Sequence, residues 1–404
     1  MSKNVVIYLR DYKKGTGGFA SIVELSNSLR MIGYNVKFIS TSFSLLTIRD
    51  FFKPQNNLIN VGGIFDNLIF NKFSIKKNNL KILIKILLST LYTIFNYKYF
   101  KNYFKTIKNS DLIIFTLPLS FEDISKIRKL SHKSKFLYNH AGSVYAFQNY
   151  WLKDVVDFKS KINKSKYELF FNQFDFMLFQ SYDQSLECSN KFPNLSSKII
   201  HLNPTSNEND IINAKDLNNP YSSNKKIILN VGTICERKNQ LLTIECFIAL
   251  RTLSKNIELH FVGDNKSDLK YYNLLKLTVN NHNLNNKVFF HGLKKDYLRY
   301  MNFSDLIILS SKAEGMPRIL REAMFMRIPI IASRILGNIE LISNGNGILI
   351  DDENPDLYAT AIKKILNNKN YSNKMVESAF NNYLNKYSNK IYNTNLNKLI
   401  LKIN

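Results

Sequence analysis

Two acidic residues in the second half of the chain have the spacing and context of a ligand-binding turn. Glu314 and Glu322 lie eight residues apart in DLIILSSKAEGMPRILREAMFMRIPIIAS, residues 305–333. Pro317 stands where a helix is expected to begin, because proline fits the first helical turn. Gly315 lets the backbone approach a ligand closely, and the free N–H groups of a helix start suit phosphate or hydroxyl groups. The two carboxylates would then accept hydrogen bonds from hydroxyls at two ends of one ligand.

A plainer interpretation of this acidic pair stays open at this point. Taken alone, a loop carboxylate and a helix glutamate with this spacing are typical of a solvated surface. In that interpretation Glu322 is simply paired with Arg318 or Arg321. The strand, turn, helix and second strand around the pair favour the ligand-binding interpretation.

A pair of neighbouring cations follows another apolar run. Arg237 and Lys238 lie in IILNVGTICERKNQLLTIECF, residues 227–247, a pattern that indicates a strand, a turn and a helix. Cations at the carboxyl end of a strand can neutralise a diphosphate, most effectively when the leaving group gains charge. The alternative is that both residues begin a solvated helix.

Glycines near the start of the chain form a second candidate phosphate-binding turn. Gly15, Gly17 and Gly18 lie in DYKKGTGGFASIVELSNSL, residues 11–29, between a strand pattern and a helix pattern. A loop without side chains at a helix N-terminus suits the approach of a phosphate. The spacing is not G-x-G-x-x-G, so a plain glycine-rich turn is the alternative.

One histidine stands at the end of a predicted strand. His140 follows residues 135–139 in the run YNHAGSVY, with Gly142 close behind. The carboxyl ends of strands in α/β sheets face the crevice that binds ligands. The alternative is a structural histidine in the core.

The elements that would position these residues form two sets of α/β units. Short apolar runs alternate with longer helical patterns, which is typical of a mostly parallel sheet. In the first half we predict strands at Asn4–Leu9, Asn35–Ser40, Asp111–Thr116, Lys135–Asn139, Asp175–Gln180 and Lys198–Leu202. In the second half we predict strands at Lys226–Val231, Ile257–Val262, Lys287–Phe290, Asp305–Leu309, Ile328–Ala332 and Gly347–Ile350. A chain of 404 residues suits two such domains better than one.

The acidic segment resembles the E-x7-E signature of retaining glycosyltransferases of family 4. The likeness extends over most of the chain and is densest between residues 226 and 350. It implies the GT-B fold, an α/β architecture of two Rossmann-like doubly wound domains facing across a cleft. It also implies that Glu314 meets hydroxyls of a donor sugar and that Glu322 meets the nucleotide ribose. Gly315, Met316 and Pro317 would supply backbone around the sugar and the diphosphate.

The cation-bearing segment is similar to the family pattern V-G-R-L-x-x-x-K-G, with two departures. Val231, Gly232 and Lys238 match, whereas Thr233 occupies the usual arginine position and Asn239 the second glycine. We expect Arg237 to supply the missing guanidinium. The resemblance also implies donor binding near Gly17 and Gly18 and a sugar-positioning role for His140.

The domain boundaries follow from composition and from the resemblance. We predict an N-terminal acceptor-side domain at residues 1–205 and a nucleotide-sugar-binding domain at residues 226–370. Between them, residues 206–225 are polar and read as a linker, because the region around them contains Pro204 and Pro220 and is rich in Asn and Ser. Residues 371–404 are predicted to be helices that cross back to the first domain.

The charge of the chain points to an anionic partner. Its net charge is +25, and residues 72–109 interleave lysines with apolar and aromatic residues. This composition is typical of an amphipathic helix on an anionic membrane surface. One alternative is a helix packed on the first sheet with snorkelling lysines. Another is that this segment binds a polyanionic acceptor. No signal-peptide pattern or spanning run of about 18 uncharged residues is present. We therefore expect a cytoplasmic protein, peripheral on the inner face of the cell membrane.

These patterns lead to an expected activity. We predict a retaining transferase that moves a sugar from a nucleotide diphosphate sugar, with UDP as the expected nucleotide, to a hydroxyl of a glycan or lipid-linked glycan. A role in bacterial surface polysaccharide synthesis is the expected context. No cofactor or metal is expected. Apart from Asp351–Asp352 after the last strand, no paired carboxylates lie in a plausible cleft, and the resemblance to GT-B enzymes implies that no divalent ion is needed. The alternatives are a nucleotide-sugar epimerase, a glycan phosphorylase or a basic nucleic-acid-binding protein, although no nucleic-acid-binding motif is evident.

Overall fold

The chain folds into two compact units. The computed structural model describes residues 3–9, 17–40, 58–60, 97–116, 121–140, 164–222, 224–250, 256–342, 345–351 and 353–403. The first unit comprises Met1–Phe179, Glu187–His201 and Leu396–Asn404. The second unit comprises Gln180–Leu186 and Leu202–Asn395.

The first unit is built on a parallel sheet of seven strands. The strands are β1 (Asn4–Leu9), β2 (Asn35–Ser40), β3 (Leu58–Asn60), β4 (Leu112–Phe115), β5 (Lys135–His140), β6 (Phe176–Phe179) and β7 (Ile199–His201). Their order is β3-β2-β1-β4-β5-β6-β7, so the direction of winding reverses between β1 and β4. An open parallel sheet with this reversal is doubly wound and binds ligands at the reversal point in many proteins.

Helices and an aromatic core surround the first sheet. The helices are α1 (Gly17–Met31), α2 (Tyr97–Lys108), α3 (Phe121–Leu130), α4 (Lys164–Phe171) and α5 (Tyr182–Lys191), the last of which begins in residues of the second unit. Tyr138 illustrates the core, because its ring lies 5.1 to 5.8 Å from the rings of Phe170, Phe171 and Phe174. Aromatic pairs at such distances add to the free energy of burial.

The second unit contains a parallel sheet of six strands. The strands are β8 (Lys226–Val231), β9 (Ile257–Val262), β10 (Val288–Phe290), β11 (Leu306–Leu309), β12 (Ile330–Ser333) and β13 (Ile348–Ile350). Their order is β10-β9-β8-β11-β12-β13, with the reversal between β8 and β11. Every residue of β9 and β11 is buried. Burial on both faces is the reason that these strands are continuous apolar runs rather than alternating ones.

Helices cover both faces of the second sheet. They are α6 (Glu208–Asn213), α7 (Gln240–Ala249), α8 (Leu269–Asn281), α9 (Tyr297–Asn302), α10 (Arg318–Met326), α11 (Leu336–Leu341), α12 (Pro355–Asn367), α13 (Lys369–Lys386) and α14 (Asn389–Ile403). Residues Leu396–Asn404 at the end of α14 group with the first unit.

The predicted α/β architecture of two doubly wound domains is confirmed. All twelve predicted strands occur, and β1, β2, β8 and β9 have the predicted bounds. Strand β3 was not predicted, because its three residues are too short to show a pattern. The predicted linker differs from the structure, since α6 lies within it and buries Ile211 in the core of the second unit. The side chain of Asn207 caps this helix by accepting a hydrogen bond from the N–H of Asp210.

Helix α2 is the described end of the basic segment 72–109, and residues 72–96 lie outside the described part. Tyr103 and Ile107 belong to the core of the first unit, whereas Lys101, Lys105 and Lys108 are exposed. The apolar face of this helix therefore packs on its own unit, as in the snorkelling interpretation, and the lysines lie on the opposite face. Among the described helices, none has the length and apolar content needed to cross a bilayer.

A hydrogen-bonded chain of titratable side chains crosses one face of the second sheet. His260 contacts Glu258 through Nε2 (3.1 Å) and His291 through Nδ1 (2.8 Å). Burial lowers the pKa of His260, although Glu258 partly opposes this effect. Burial, together with the positive charges of His260 and Lys294, lowers the pKa of His291 to about 4. Both imidazoles are therefore neutral in the folded protein near pH 7.

This arrangement predicts a loss of stability in mild acid. The pKa of His291 is lower in the folded chain than its ordinary value of 6.5, so between those values the unfolded chain binds the extra proton. The contribution of neutral His291 to the stability of the protein is therefore complete above pH 6.5 and decreases as the pH falls towards 4. We expect the His291→Gln variant to show a decrease in Tm between pH 7.5 and 5 that is about 2 °C smaller than in the native protein. Parallel Tm curves for the two proteins in a fluorescence melt would contradict this prediction.

Candidate functional site

The reversal point of the second sheet lies between the carboxyl ends of β8 and β11. The loop after β8 contains Gly232 and a short 3-10 helix, Glu236–Lys238. The loop after β11 runs from Ser310 to Pro317, where α10 begins. Parallel strands bring both loops to one edge, which is the usual ligand-binding position in doubly wound sheets.

The two loops bring one carboxylate and two cations together. Lys238 Nζ donates a hydrogen bond to Glu314 Oε1 at 2.5 Å, and Arg237 Nη1 lies 3.4 Å from the same oxygen. Arg237 Nη1 also donates to the carbonyl of Ala313 at 2.6 Å. Only 9% of the Glu314 side chain and 14% of the Lys238 side chain are exposed. The carboxylate and cations that the sequence placed on separate segments therefore form one group.

The charges of this group determine the ionisation of Glu314. Burial by itself would raise the pKa of the Glu314 carboxyl group. The positive charges of Lys238 and Arg237 outweigh burial, helped by the hydrogen bond from Lys238, and the pKa of Glu314 is lowered overall. Glu314 is thus an ionised acceptor at neutral pH. The three side chains together carry one net positive charge, which suits an anionic ligand.

The backbone after Lys238 explains one departure from the family pattern. Asn239 adopts the left-handed conformation, with φ 51° and ψ 44°, and connects the 3-10 helix to α7. The hydroxyl of Ser310 donates to the carbonyl of Asn239 at 2.7 Å and so ties the β8 loop to the end of β11. Asparagine tolerates this conformation better than most residues, so it can replace a glycine here.

Glu322 lies inside α10 and is almost completely buried, with 1% of its side chain exposed. Its Oε1 atom accepts hydrogen bonds from Arg318 Nε at 2.5 Å and from the hydroxyl of Tyr297 at 2.6 Å. The pairing with Arg318 agrees with the plainer interpretation, but the side chain is not solvated. Within the described residues no donor contacts Oε2, which leaves that oxygen able to accept a ligand hydroxyl.

Gly315, Met316 and Pro317 form the turn between Glu314 and α10. The side-chain amide of Gln184 donates to the carbonyls of Glu314 and Gly315, each at 2.9 Å. Arg321 donates from Nη1 to the carbonyl of Met316 at 2.6 Å. The turn is therefore held by side chains on two different helices.

Glycine is required beside this turn. A Cβ atom on Gly337, in α11, would overlap the carbonyl oxygen of Gly315. No flexible side chain could move aside, because the neighbouring atom belongs to the backbone.

This close approach predicts a functional defect in a small substitution. The Gly337→Ala variant should displace the turn at Gly315 and lower the rate of the reaction at this site at least tenfold, because misplacement by about 1 Å costs up to 100-fold. Steady-state turnover at a temperature below the Tm of the variant checks this prediction. Turnover equal to that of the native protein would mean that the turn does not take part.

The remaining predicted site residues belong to the first unit. Gly17 and Gly18 begin α1 in the first unit. His140 ends β5 and has no exposed surface. Its Nε2 atom contacts the hydroxyl of Tyr167 at 3.0 Å, and its ring stacks on Phe179 at 4.3 Å. This environment is that of a core histidine, and the roles of His140, Gly17 and Gly18 in donor binding stay predictions.

The described residues contain no group of three or more metal-ligating side chains. Asp351 is paired with Arg334, and Asp352 lies outside the described residues.

Sequence reasoning missed three side chains at the site. Gln184 is distant in sequence from Glu314, and no local pattern marks it. Arg321 had been considered only as a surface partner of Glu322, yet it is fully buried. Tyr297 lies 25 residues before Glu322 and begins a short helix. An arginine in the interior of an otherwise apolar helix face is the one signal that could have drawn attention to Arg321.

Comparison with known proteins identifies the segment that carries this group. Residues 213–382 match the family model described as "Glycosyl transferases group 1". The match covers less than half of the chain and lies wholly within the second unit. The matched segment contains the whole second sheet and each of Arg237, Lys238, Glu314 and Glu322.

Two curated relatives and one solved structure illustrate the likeness. An uncharacterized glycosyltransferase of Methanocaldococcus jannaschii is 25% identical over 284 residues, which are 66% of this chain and 63% of that protein. The UDP-Gal:alpha-D-GlcNAc-diphosphoundecaprenol alpha-1,3-galactosyltransferase of Escherichia coli is 31% identical over 165 residues, 38% of this chain and 41% of that protein. The chain thus spans less than two thirds of the length of these relatives.

The crystal structure of a glycosyltransferase from Rickettsia africae ESF-5 matches the chain as a whole. Its TM-score is 0.70 at 19% identity, with 100% of this chain and 98% of that chain covered. A match of this kind establishes the fold, so the predicted GT-B fold class is confirmed.

Proposed function

We propose that this protein is a glycosyltransferase that moves a sugar from a nucleotide diphosphate sugar to a hydroxyl group. The observation that carries the proposal is the contact of Glu314 with Lys238 and Arg237 at the reversal point of the second sheet. This group lies inside the segment that matches the glycosyltransferase family model. The paired cations suit a diphosphate, and the ionised carboxylate suits the hydroxyls of a sugar.

The chemistry of the step follows from these charges. As the oxygen of the acceptor hydroxyl bonds to the anomeric carbon, the bond between that carbon and the diphosphate oxygen breaks. The leaving diphosphate gains negative charge and takes the proton of the acceptor hydroxyl. Lys238 and Arg237 stabilise that charge, and their partial burial makes the interaction stronger than in water. Because both cations are already in position, no reorganisation is required during the reaction. Arg237 supplies the guanidinium group that the family pattern places at the position of Thr233.

The donor is held by hydrogen bonds to its two ends. The carboxylate of Glu314 accepts hydrogen bonds from hydroxyls of the transferred sugar. Oε2 of Glu322 accepts a hydrogen bond from a hydroxyl of the ribose. The turn at Gly315, Met316 and Pro317, together with Gly232, supplies backbone next to the diphosphate. The resemblance also supports donor-binding roles for His140, Gly17 and Gly18, which belong to the first unit. No metal is assigned, since the cations of Lys238 and Arg237 serve the purpose that a divalent ion would serve.

The stereochemistry and the substrates are proposed from resemblance. The E-x7-E signature supports a retaining enzyme of family 4, in which departure and attack occur on one face of the sugar. The E. coli relative is named for a UDP-linked donor and a diphosphoundecaprenol acceptor, which supports a UDP sugar and a lipid-linked glycan. Synthesis of a bacterial surface polysaccharide is the context that we propose.

The proposed location is the inner face of the cell membrane. Support comes from the net charge of +25 and from the exposed Lys101, Lys105 and Lys108 of α2. Because the apolar face of α2 is buried, this contact would be electrostatic and would weaken as salt is added.

A panel of nucleotide sugars tests the proposal. We expect one UDP sugar to raise the Tm by several degrees, because a ligand that binds only the folded state stabilises it in proportion to its concentration over Kd. Release of UDP should then require, or be accelerated by, a hydroxyl acceptor, and the product should keep the anomeric configuration of the donor. Conversion without an acceptor would instead indicate an epimerase, and dependence on free phosphate a phosphorylase. The absence of any shift across UDP, GDP, ADP, CDP and dTDP sugars would contradict the proposal.

A further inference from the structure

Four consecutive backbone carbonyls in the turn after β11 are each held by a side chain. The carbonyl of Ala313 accepts from Arg237, and those of Glu314 and Gly315 accept from Gln184. The carbonyl of Met316 accepts from Arg321. Turns normally satisfy such groups with water or with their own backbone, so side-chain donors on four successive carbonyls fix the plane of each peptide group.

The orientation of the carbonyls determines where the N–H groups point. In a trans peptide the N–H of one residue is directed opposite to the carbonyl of the residue before it. The N–H group of Glu314 therefore points away from Arg237, and those of Gly315 and Met316 point away from Gln184. Within the described part of the chain, none of these three N–H groups donates a hydrogen bond. Successive N–H groups aimed to one side form a surface for an anion or for hydroxyl oxygens.

Gln184 is itself fixed in place. It is 1% exposed, and its N–H donates to the hydroxyl oxygen of Ser181, which caps α5. The hydroxyl of Ser181 donates to Glu340 on α11 at 2.6 Å, and the N–H of Asp183 donates to the same carboxylate at 3.3 Å. The amide that orients the turn is therefore supported by a second layer of hydrogen bonds.

Arg321 is fixed in a similar way. Its side chain is fully buried in α10. One terminal nitrogen donates to the carbonyl of Met316 and the other to the carbonyl of Thr205 at 3.0 Å. The guanidinium thus connects the turn to the segment before α6. A planar group with fixed donors is better suited to this geometry than a lysine.

We propose that Gln184 and Arg321 are positioning residues that set the peptide planes from residue 314 to 317. Gln184 aims the N–H groups of Gly315 and Met316 at the donor, and Arg321 fixes the plane between Met316 and Pro317, which carries no N–H. The inference rests on the proposed function, because the ligand is the nucleotide sugar bound at the same turn. Neither side chain touches the donor. Their effect is transmitted through the backbone.

A pair of substitutions at Gln184 tests the proposal with a signature that a structural role would not produce. The Gln184→Met variant keeps the size of the side chain but cannot donate. The Gln184→Glu variant can donate only when the introduced carboxyl group is protonated, and the two carbonyls and the burial favour its protonated form. The quantity measured is UDP release from the stabilising UDP sugar, at a temperature where each variant is folded, from pH 5.5 to 8.5.

The expected results separate the two variants. Gln184→Met should lower kcat about tenfold at every pH, with an unchanged KM for the acceptor. Gln184→Glu should be equally slow at pH 8.5 and should regain activity relative to the native enzyme as the pH falls. The matched control is Gln173→Glu in the first unit, whose activity relative to the native enzyme should stay constant with pH. At Arg321, the Lys variant should retain more kcat than the Met variant, because it can still donate to one carbonyl.

The failures of the two proposals can be told apart. A native protein that binds no nucleotide sugar and releases no UDP would overturn the proposed function. A native enzyme that is active, with Gln184→Met and Gln184→Glu equal to it in kcat and pH profile, would overturn only the positioning role. Activity losses at Gln184 that are the same at every pH for both variants would likewise show that the amide has a structural role alone.

Discussion

The Glu314→Gln variant should transfer sugar about 10²- to 10³-fold more slowly than the native enzyme, the loss typical of removing one preorganised electrostatic contact. Glutamine keeps the size of the side chain but removes the charge that accepts donor hydroxyls. Lys238 and Arg237 would no longer share their charge with a carboxylate, so the affinity for UDP alone should be unchanged or higher. The measurements are kcat from UDP release and the Kd of UDP from calorimetry.

A loss of turnover without a loss of UDP affinity distinguishes the prediction from simple unfolding. An unfolded or distorted variant would lose UDP affinity together with turnover. The Glu236→Gln variant is the matched control, since Glu236 is exposed in the neighbouring 3-10 helix. It should stay within about twofold of the native rate, as surface substitutions usually do. Native turnover in Glu314→Gln would remove the central residue from the mechanism.

The second large effect is expected at Lys238. The Lys238→Met variant should lower kcat/KM about 10²- to 10³-fold, because the leaving diphosphate loses a partly buried, preorganised cation. Unlike Glu314→Gln, this variant should also bind UDP more weakly, by roughly tenfold or more, as expected for removal of a charged contact. The same calorimetric titration reports both variants, so the pair forms an internal comparison.

Two further variants show whether UDP affinity depends on the position of a cation or only on the total charge of the loop. Lys312→Met removes an exposed lysine from the same loop as Glu314 and should leave UDP affinity unchanged. Arg237→Met should weaken UDP binding and also loosen the turn, because the guanidinium holds the carbonyl of Ala313. Equal UDP affinities for the native enzyme and for Lys238→Met would exclude Lys238 from the diphosphate site.

The strands and the main charged group were predictable from the sequence because their signals are local. Parallel strands buried on both faces produce continuous apolar runs, which gave the bounds of β8 and β9 directly. Residues after such runs meet at one edge of a sheet, so Lys238 and Glu314 were expected at the same edge, but their direct contact was not predicted.

The rest depends on contacts between distant parts of the sequence. Gln184 reaches the turn from a helix 130 residues earlier, and the burial of Arg321 depends on the carbonyl of Thr205, 116 residues away. No periodicity encodes such contacts. The helix within the predicted linker was missed for a related reason, because its burial of Ile211 outweighs the polar composition around it. The burial of His140 depends likewise on aromatic side chains from β6 and α4.

A crystal structure of the protein with UDP bound would test the central claim most directly. We expect density for the diphosphate within hydrogen-bonding distance of Lys238 Nζ and the guanidinium of Arg237, beside the N–H groups of Gly315 and Met316. Density for UDP at another edge of the sheet, with Lys238 still bonded only to Glu314, would contradict it.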